Sequence, residues 1–174
     1  MTNVIRGLVQ VIGITPFESF PIRPNRFTEV SITETVIMPK VRPDIEQLIS
    51  IAVDAQVTDV RLIDTAVGIS NEGQNLSGFK LIVELKLRQK IKYIANEPTQ
   101  SVHAEHFEKV ISSIFVVVPA TIDVGIPAVA TSIETLFKQG RLVVTPYIED
   151  IYCELRDKRT IYKNIIAFVN VRVM

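Results

Sequence analysis

The 174-residue chain has no tryptophan and one cysteine, Cys153. A single thiol excludes an internal disulfide framework, so the fold must stand on packing and hydrogen bonding. An intermolecular bridge stays open, although Cys packs like a small hydrophobe and a buried or half-buried thiol is the plainer expectation. An excess of charge of either sign is also missing, since 19 basic residues balance 19 acidic ones. Phosphate binding needs a clustered surplus of Lys and Arg, and this balance argues against a nucleic-acid partner. Weak self-repulsion instead permits copies of the chain to associate closely. No run approaches the roughly 18 apolar residues of a membrane span. Residues 1–7 lack the basic and then apolar regions of a secretory signal, so synthesis is expected to end in a cytoplasm without a signal peptide.

Reactive constellations are equally sparse. The seven glycines are scattered and form no phosphate-cradling loop. His103 and His106 are the only histidines. Three positions apart on a strand, they point to opposite faces and cannot share a metal ion without a bulge. Neither has a Gly-x-Ser-x-Gly elbow to serve, and Cys153 lies in a strand pattern where nothing would stabilise a thiolate. Asp59, Asp64, Glu149, Asp150 and Glu154 could supply paired carboxylates, but strand faces commonly carry such residues as exposed cross-strand partners of Lys or Arg. No catalytic residue, cofactor or metal ligand is assigned, and the chain is not expected to be an enzyme.

What the sequence does contain is alternation. From Phe79 to Leu87 the residues Phe79, Leu81, Val83, Leu85 and Leu87 share one face, while Lys80, Glu84, Lys86 and Arg88 share the other. Further strands are expected at Val4–Ile14, Thr28–Met38, Ile49–Asp64, Lys90–Ala95, Gln100–Val110, Phe115–Val118, Ala128–Phe137, Arg141–Leu155 and Ile161–Val173. Several exceed the usual length, so bends or bulges should divide them. Polar turns are expected at Asn71–Asn75, Ser77-Gly78, Asn96–Thr99, Gln139-Gly140 and Arg156–Arg159. Pro43-Asp44 followed by Ile45, Leu48 and Ile49 at helical spacing predicts one short helix near 43–49. The expectation is an all-β fold of one or two packed antiparallel sheets, sandwich-like, with that single helix.

Three segments follow: an N-terminal strand at 1–15, a linker at 16–27 carrying Pro16, Pro21 and Pro24, and a β domain at 28–174. The first strand is apolar on both faces and must be covered, either by its own sheet or by another molecule's. The last strand bears Ile161, Ile165, Ala167, Val169, Val171 and Val173 on one face and Ile166, Phe168 and Met174 on the other. Its second face needs a cover too. Val4, Leu8, Val9, Val11, Ile12, Ile166, Phe168 and Met174 therefore form the candidate assembly surface. The charged turn Asp157–Thr160 is either a solvated hairpin tip or a charge patch for a neighbouring subunit.

Three runs resemble the SPOCS family, a domain associated with spore coat proteins of endospore-forming Firmicutes. They are Ser31–Val36 leading into Pro43–Gln47; Lys80–Ile91 continuing through Tyr93–Ala95 to Glu97–His103; and Tyr147–Tyr152 with Asp157–Ile161. The resemblance covers residues from about 28 to the C-terminus and implies a single-domain, β-rich structural protein. It implies made-in-the-mother-cell synthesis, location in the spore coat or spore surface, and partners that are further copies of the chain or other spore coat proteins. The expected function is that of a structural, self-associating coat component acting through β contacts. A carbohydrate- or peptidoglycan-binding β module is the alternative, weakened by the lack of Trp and by only four Tyr to stack on sugar rings.

Overall fold

The computed structural model describes the backbone of residues 2–6 and 9–174, with side chains from residue 9 onward. Alternation between buried and exposed positions governs the long strands, as in β5 (Asn75–Ala95), where every second residue from Leu81 to Ala95 is buried. One side of such a strand is removed from water and the other is solvated, so the hydrophobic gain accrues to a single face. β5 is the centre of a sheet in the order β1-β2-β4-β5-β6, with β1 at Thr2–Arg6, β2 at Val9–Ile14, β4 at Ile45–Ile69 and β6 at Val102–Val118. A second sheet has the order β3-β10-β9, with β3 at Phe27–Ile37, β9 at Leu142–Leu155 and β10 at Thr160–Val173. The buried residues of both sheets form one hydrophobic cluster, from Ile51, Leu81, Val83 and Leu85 on the first to Ile32, Ile151, Ile161 and Ile165 on the second. β9 runs beside β2 and β4, and β3 runs beside β6. The fold is all-β.

The long strands stay continuous by bulging. β4 and β5 pair antiparallel from Ile45↔Ala95 to Ile69↔Asn75, with register shifts at Ile45/Gln47, Leu48/Ser50, Val57/Asp59 and Asp64/Val67. Each extra residue lets β4 bend while its apolar side chains return to the core. The segments expected at 79–87 and 90–95 are therefore one strand, and so are those at 100–110 and 115–118. Ser77-Gly78 lies inside β5 and is not a turn.

The expected helix near 43–49 is absent; this stretch begins β4. Ile45 and Leu48 are both buried, at the three-residue spacing that suggested a helix. Two register shifts between Ile45 and Ser50 produce the same spacing on a strand. The helix lies instead at α1 (Ile133–Lys138), inside the segment expected as the strand 128–137. Ser132 caps it by accepting from the Thr135 N–H at 3.2 Å, and Ile133 and Leu136 are buried beneath it. Gln139-Gly140 ends this helix, with Gly140 at φ +66° and the Arg141 N–H bonded to the Leu136 carbonyl at 2.9 Å. A small hairpin of β7 (Thr121–Val124) and β8 (Val129–Ser132) leads into it.

The N-terminal segment is two strands. β1 and β2 form an antiparallel hairpin, and β2 then lies parallel to β4 through Gln10↔Ser50, Val11↔Ile51 and Ile12↔Ala52. One pairing in an otherwise antiparallel sheet is thus parallel, because the chain crosses to the second sheet as β3 before returning as β4. Residues 16–27 make that crossing. They include a 3-10 turn at Phe17–Ser19 and lay Phe20 on Tyr147 and Phe168, with centroids 5.1 and 6.0 Å apart. Phe27 stacks on Phe168 at 4.9 Å.

Gly13 allows the close approach of β2 to β4. Its φ is +114°, and a Cβ built there would sit 2.0 Å from the Val53 carbonyl oxygen. Gly13→Ala should destabilise the fold by at least about 2 kcal/mol, because both the backbone conformation and the space oppose a side chain. Urea unfolding of the purified variant measures this.

Candidate functional site

Three polar residues interrupt the apolar alternation of three different strands. Glu34 lies between Ile32 and Val36, Gln89 between Leu87 and Ile91, and Lys163 between Ile161 and Ile165. Strand register brings them together. On the second sheet, Lys163 has Glu34 of β3 and Cys153 of β9 as its direct cross-strand partners. On the first, Gln89 is flanked by Val53 of β4 and Phe107 of β6. The two rows face one another across the core.

Lys163 is fully buried and Gln89 is 2% exposed. The Lys163 Nζ donates to Gln89 Oε1 at 2.6 Å and lies 3.1 Å from Glu34 Oε2. Gln89 Nε2 donates to the same Glu34 oxygen at 2.9 Å, so amide and carboxylate orient each other. The Phe107 ring centroid is 5.3 Å from Nζ. Burial carries the Lys163 ammonium below its ordinary value, opposed by the Glu34 charge. Burial alone would raise the Glu34 carboxyl, but the Gln89 hydrogen bond and the Lys163 charge bring it below the ordinary 4.5. Cys153 is half-buried, and its thiol is pushed up to about 11, mainly by burial. It is held as an unreactive thiol at neutral pH.

No family model, curated protein or solved structure matches this chain.

The charged turn Asp157–Thr160 binds its own chain. Arg159 donates to Asp44 Oδ1 at 2.6 Å and to the carbonyls of Met38, Pro39 and Arg42 at 3.1, 2.6 and 3.2 Å. The guanidinium fork thus ties the β9–β10 turn to the β3–β4 connection. Asp157 caps the turn by accepting from the N–H groups of Arg159 and Thr160, each at 2.8 Å.

The candidate assembly residues are dispersed. Leu8 and the side chain of Val4 lie outside the described residues. Val11 is 1% exposed and sits in the core, while Val9, Ile12 and Ile166 are half-buried. Phe168 is 5% exposed, covered by Phe20, Phe27 and Tyr147 of its own chain. Val11 and Phe168 are consequently removed from the outer surface, and Met174 is exposed. A run that must be covered does not say what covers it.

The histidines diverge as strand geometry requires. His103 is half-buried and stacks on Tyr93 at 5.6 Å, whereas His106 is exposed. Ser101 Oγ is 2.8 Å from His103 Nε2, and Ser101 also donates to Glu97. Glu97 approaches the same Nε2 at 3.8 Å, so serine and carboxylate share one ring nitrogen and form no Ser-His-acid relay. The candidate carboxylates are scattered. Asp59 pairs with Arg61 at 2.6 Å, and Glu154 accepts from Tyr152 at 2.7 Å and from Arg156 at 3.1 Å. Glu149 is raised by burial and by the charge of Glu29. Asp150 accepts from the Ile151 N–H at 2.8 Å.

Removing one member of the buried pair strands the other in a poor dielectric. Lys163→Met should cost roughly 3 kcal/mol, and adding Glu34→Leu should restore part of the loss. Chemical denaturation of the two variants measures both effects.

The lowered Glu34 carboxyl also sets a sign for acid. The unfolded chain takes up this proton first, so the stability it contributes is present above 4.5 and is lost as pH falls through the lower folded value. Glu34→Gln should flatten the acid limb of a stability–pH profile measured by thermal unfolding.

Proposed function

We propose that the chain is a structural, self-associating component of the bacterial spore coat or an allied surface layer, acting through β contacts between subunits. The spore assignment rests on the three runs that resemble the SPOCS family. These lie on β3 and the entry to β4, along β5 into β6, and on β9 with the β9–β10 turn and the start of β10. Glu34 and Gln89 of the buried network fall within them, and so does the Arg159–Asp44 pair.

The observation that carries self-association is the edge formed by β6. It is a 17-residue strand at the end of its sheet, bonded to β5 on one side. β3 runs beside part of β6, but among the described residues no ladder joins the outer edge of β6, and such an edge offers backbone donors and acceptors to a second chain. Val102 and Val110, at 64% and 52% exposure, put apolar side chains on its solvent face. The rings that would favour sugar binding are mostly engaged within the chain. Tyr93 is buried, Tyr147 stacks on Phe20 and Tyr162 lies under Arg156, 4.2 Å from its guanidinium carbon.

Purified protein should therefore form concentration-dependent oligomers or filaments in sedimentation velocity and electron microscopy. Val102→Lys/Val110→Lys should shift that equilibrium towards monomer at least tenfold without unfolding the chain, because edge lysines oppose strand addition. A wild-type chain that stays monomeric at high concentration would refute the self-assembling reading. Absence of the tagged protein from purified spores would refute the location.

A further inference from the structure

The largely buried contact between Lys163, Gln89 and Glu34 places a nucleophile, an acyl group and a proton carrier within reach of one another. Lys163 Nζ is 2.6 Å from the Gln89 carbonyl oxygen. With a C=O bond of about 1.2 Å, Nζ cannot be farther than about 3.8 Å from Cδ, close to the range for attack. One oxygen of Glu34 touches both Nζ, at 3.1 Å, and Gln89 Nε2, at 2.9 Å. It can take a proton from the attacking nitrogen and return it to the departing one.

We propose that Lys163 and Gln89 become joined by an intramolecular isopeptide bond, with Glu34 as the catalytic proton carrier. Glu34 first accepts a proton from the Lys163 ammonium. The neutral amine then attacks Gln89 Cδ, forming the new C–N bond and a tetrahedral centre. Glu34 delivers its proton to Nε2 and removes one from the attacking nitrogen. The Cδ–Nε2 bond breaks, its electron pair leaves with nitrogen as ammonia, and the carbonyl re-forms. Ammonia takes the remaining proton and departs as ammonium. The balance is one ammonium side chain plus one primary amide giving one secondary amide plus one ammonium ion, with no oxidant, reductant or cofactor.

The surroundings favour this exchange over hydrolysis. Phe107 covers Nζ at 5.3 Å, and burial favours the neutral amine. A primary amide is a poor electrophile, but fixed proximity can supply an effective molarity of about 10⁵ M or more. The product would link β10 in one sheet to β5 in the other, across 74 residues of sequence, and would withstand reducing agents. It does not depend on the edge association proposed above.

The decisive measurement is the intact mass of the denatured full-length chain after purification and prolonged incubation in the folded state. The expected mass is lower than that of the sequence by one ammonia, and proteolysis should yield a branched peptide joining Lys163 to Gln89. Glu34→Gln and Lys163→Arg should keep the full mass, with circular dichroism reporting whether each is folded. A folded wild-type chain that retains its full mass overturns the proposal, whether or not the variants fold. Loss of ammonia mapped to any other residue overturns it equally.

Discussion

The ammonium of Lys163 is fully buried between two β-sheets, and the arrangement of the core depends on how that charge is satisfied. A charge in such a place must find a counter-charge and hydrogen-bond acceptors, or the sheets cannot close over it. Glu34 supplies the charge from the neighbouring strand, and Gln89 supplies an acceptor from the opposite sheet. The contact therefore specifies register in both directions at once. A one-residue slip of β3 against β10 would turn Glu34 to the outer face, and a slip of β5 would remove Gln89. Apolar side chains tolerate a shift of partners far better than this charged triad does.

Around that contact, the chain closes its own surfaces by local means. The Pro-rich crossing from β2 to β3 brings Phe20 onto the outside of β10, turning an apolar face into an aromatic cluster within one molecule. The Arg159 fork secures the other end of the same sheet by gathering three carbonyls and one carboxylate. Among the described residues β6 ends its sheet, as β3 and β9 end theirs, so these strands have a ladder on one side.

Alternation makes the architecture legible in the sequence. Phe79–Leu87 needed only its period of two to declare a strand with one wet side, and the Arg156–Arg159 turn needed only its charges and its place between two apolar runs. The same rule failed at Ile45 and Leu48, where bulges mimicked a helical period, and at Ser132–Gln139. There Ser132 caps a helix with Glu134 in its first turn and Lys138 in its last, within a stretch rich enough in β-branched residues to read as a strand. The buried triad left a mark too, as Glu34, Gln89 and Lys163 each break an apolar face. Reading those marks as one site required knowing which strands are neighbours.

By itself the sequence determined that the chain is all-β, where most strands run, and which faces are apolar, because side-chain direction on a strand follows from backbone geometry two residues at a time. Only the tertiary structure decided that the N-terminal segment folds into a hairpin with a strand parallel to β4, that Phe168 is covered from within, and that a lysine, a glutamate and a glutamine meet. These depend on long-range pairing, where hydrogen bonds between backbones are chemically alike. The choice among alternative registers is made by the packing of the whole core.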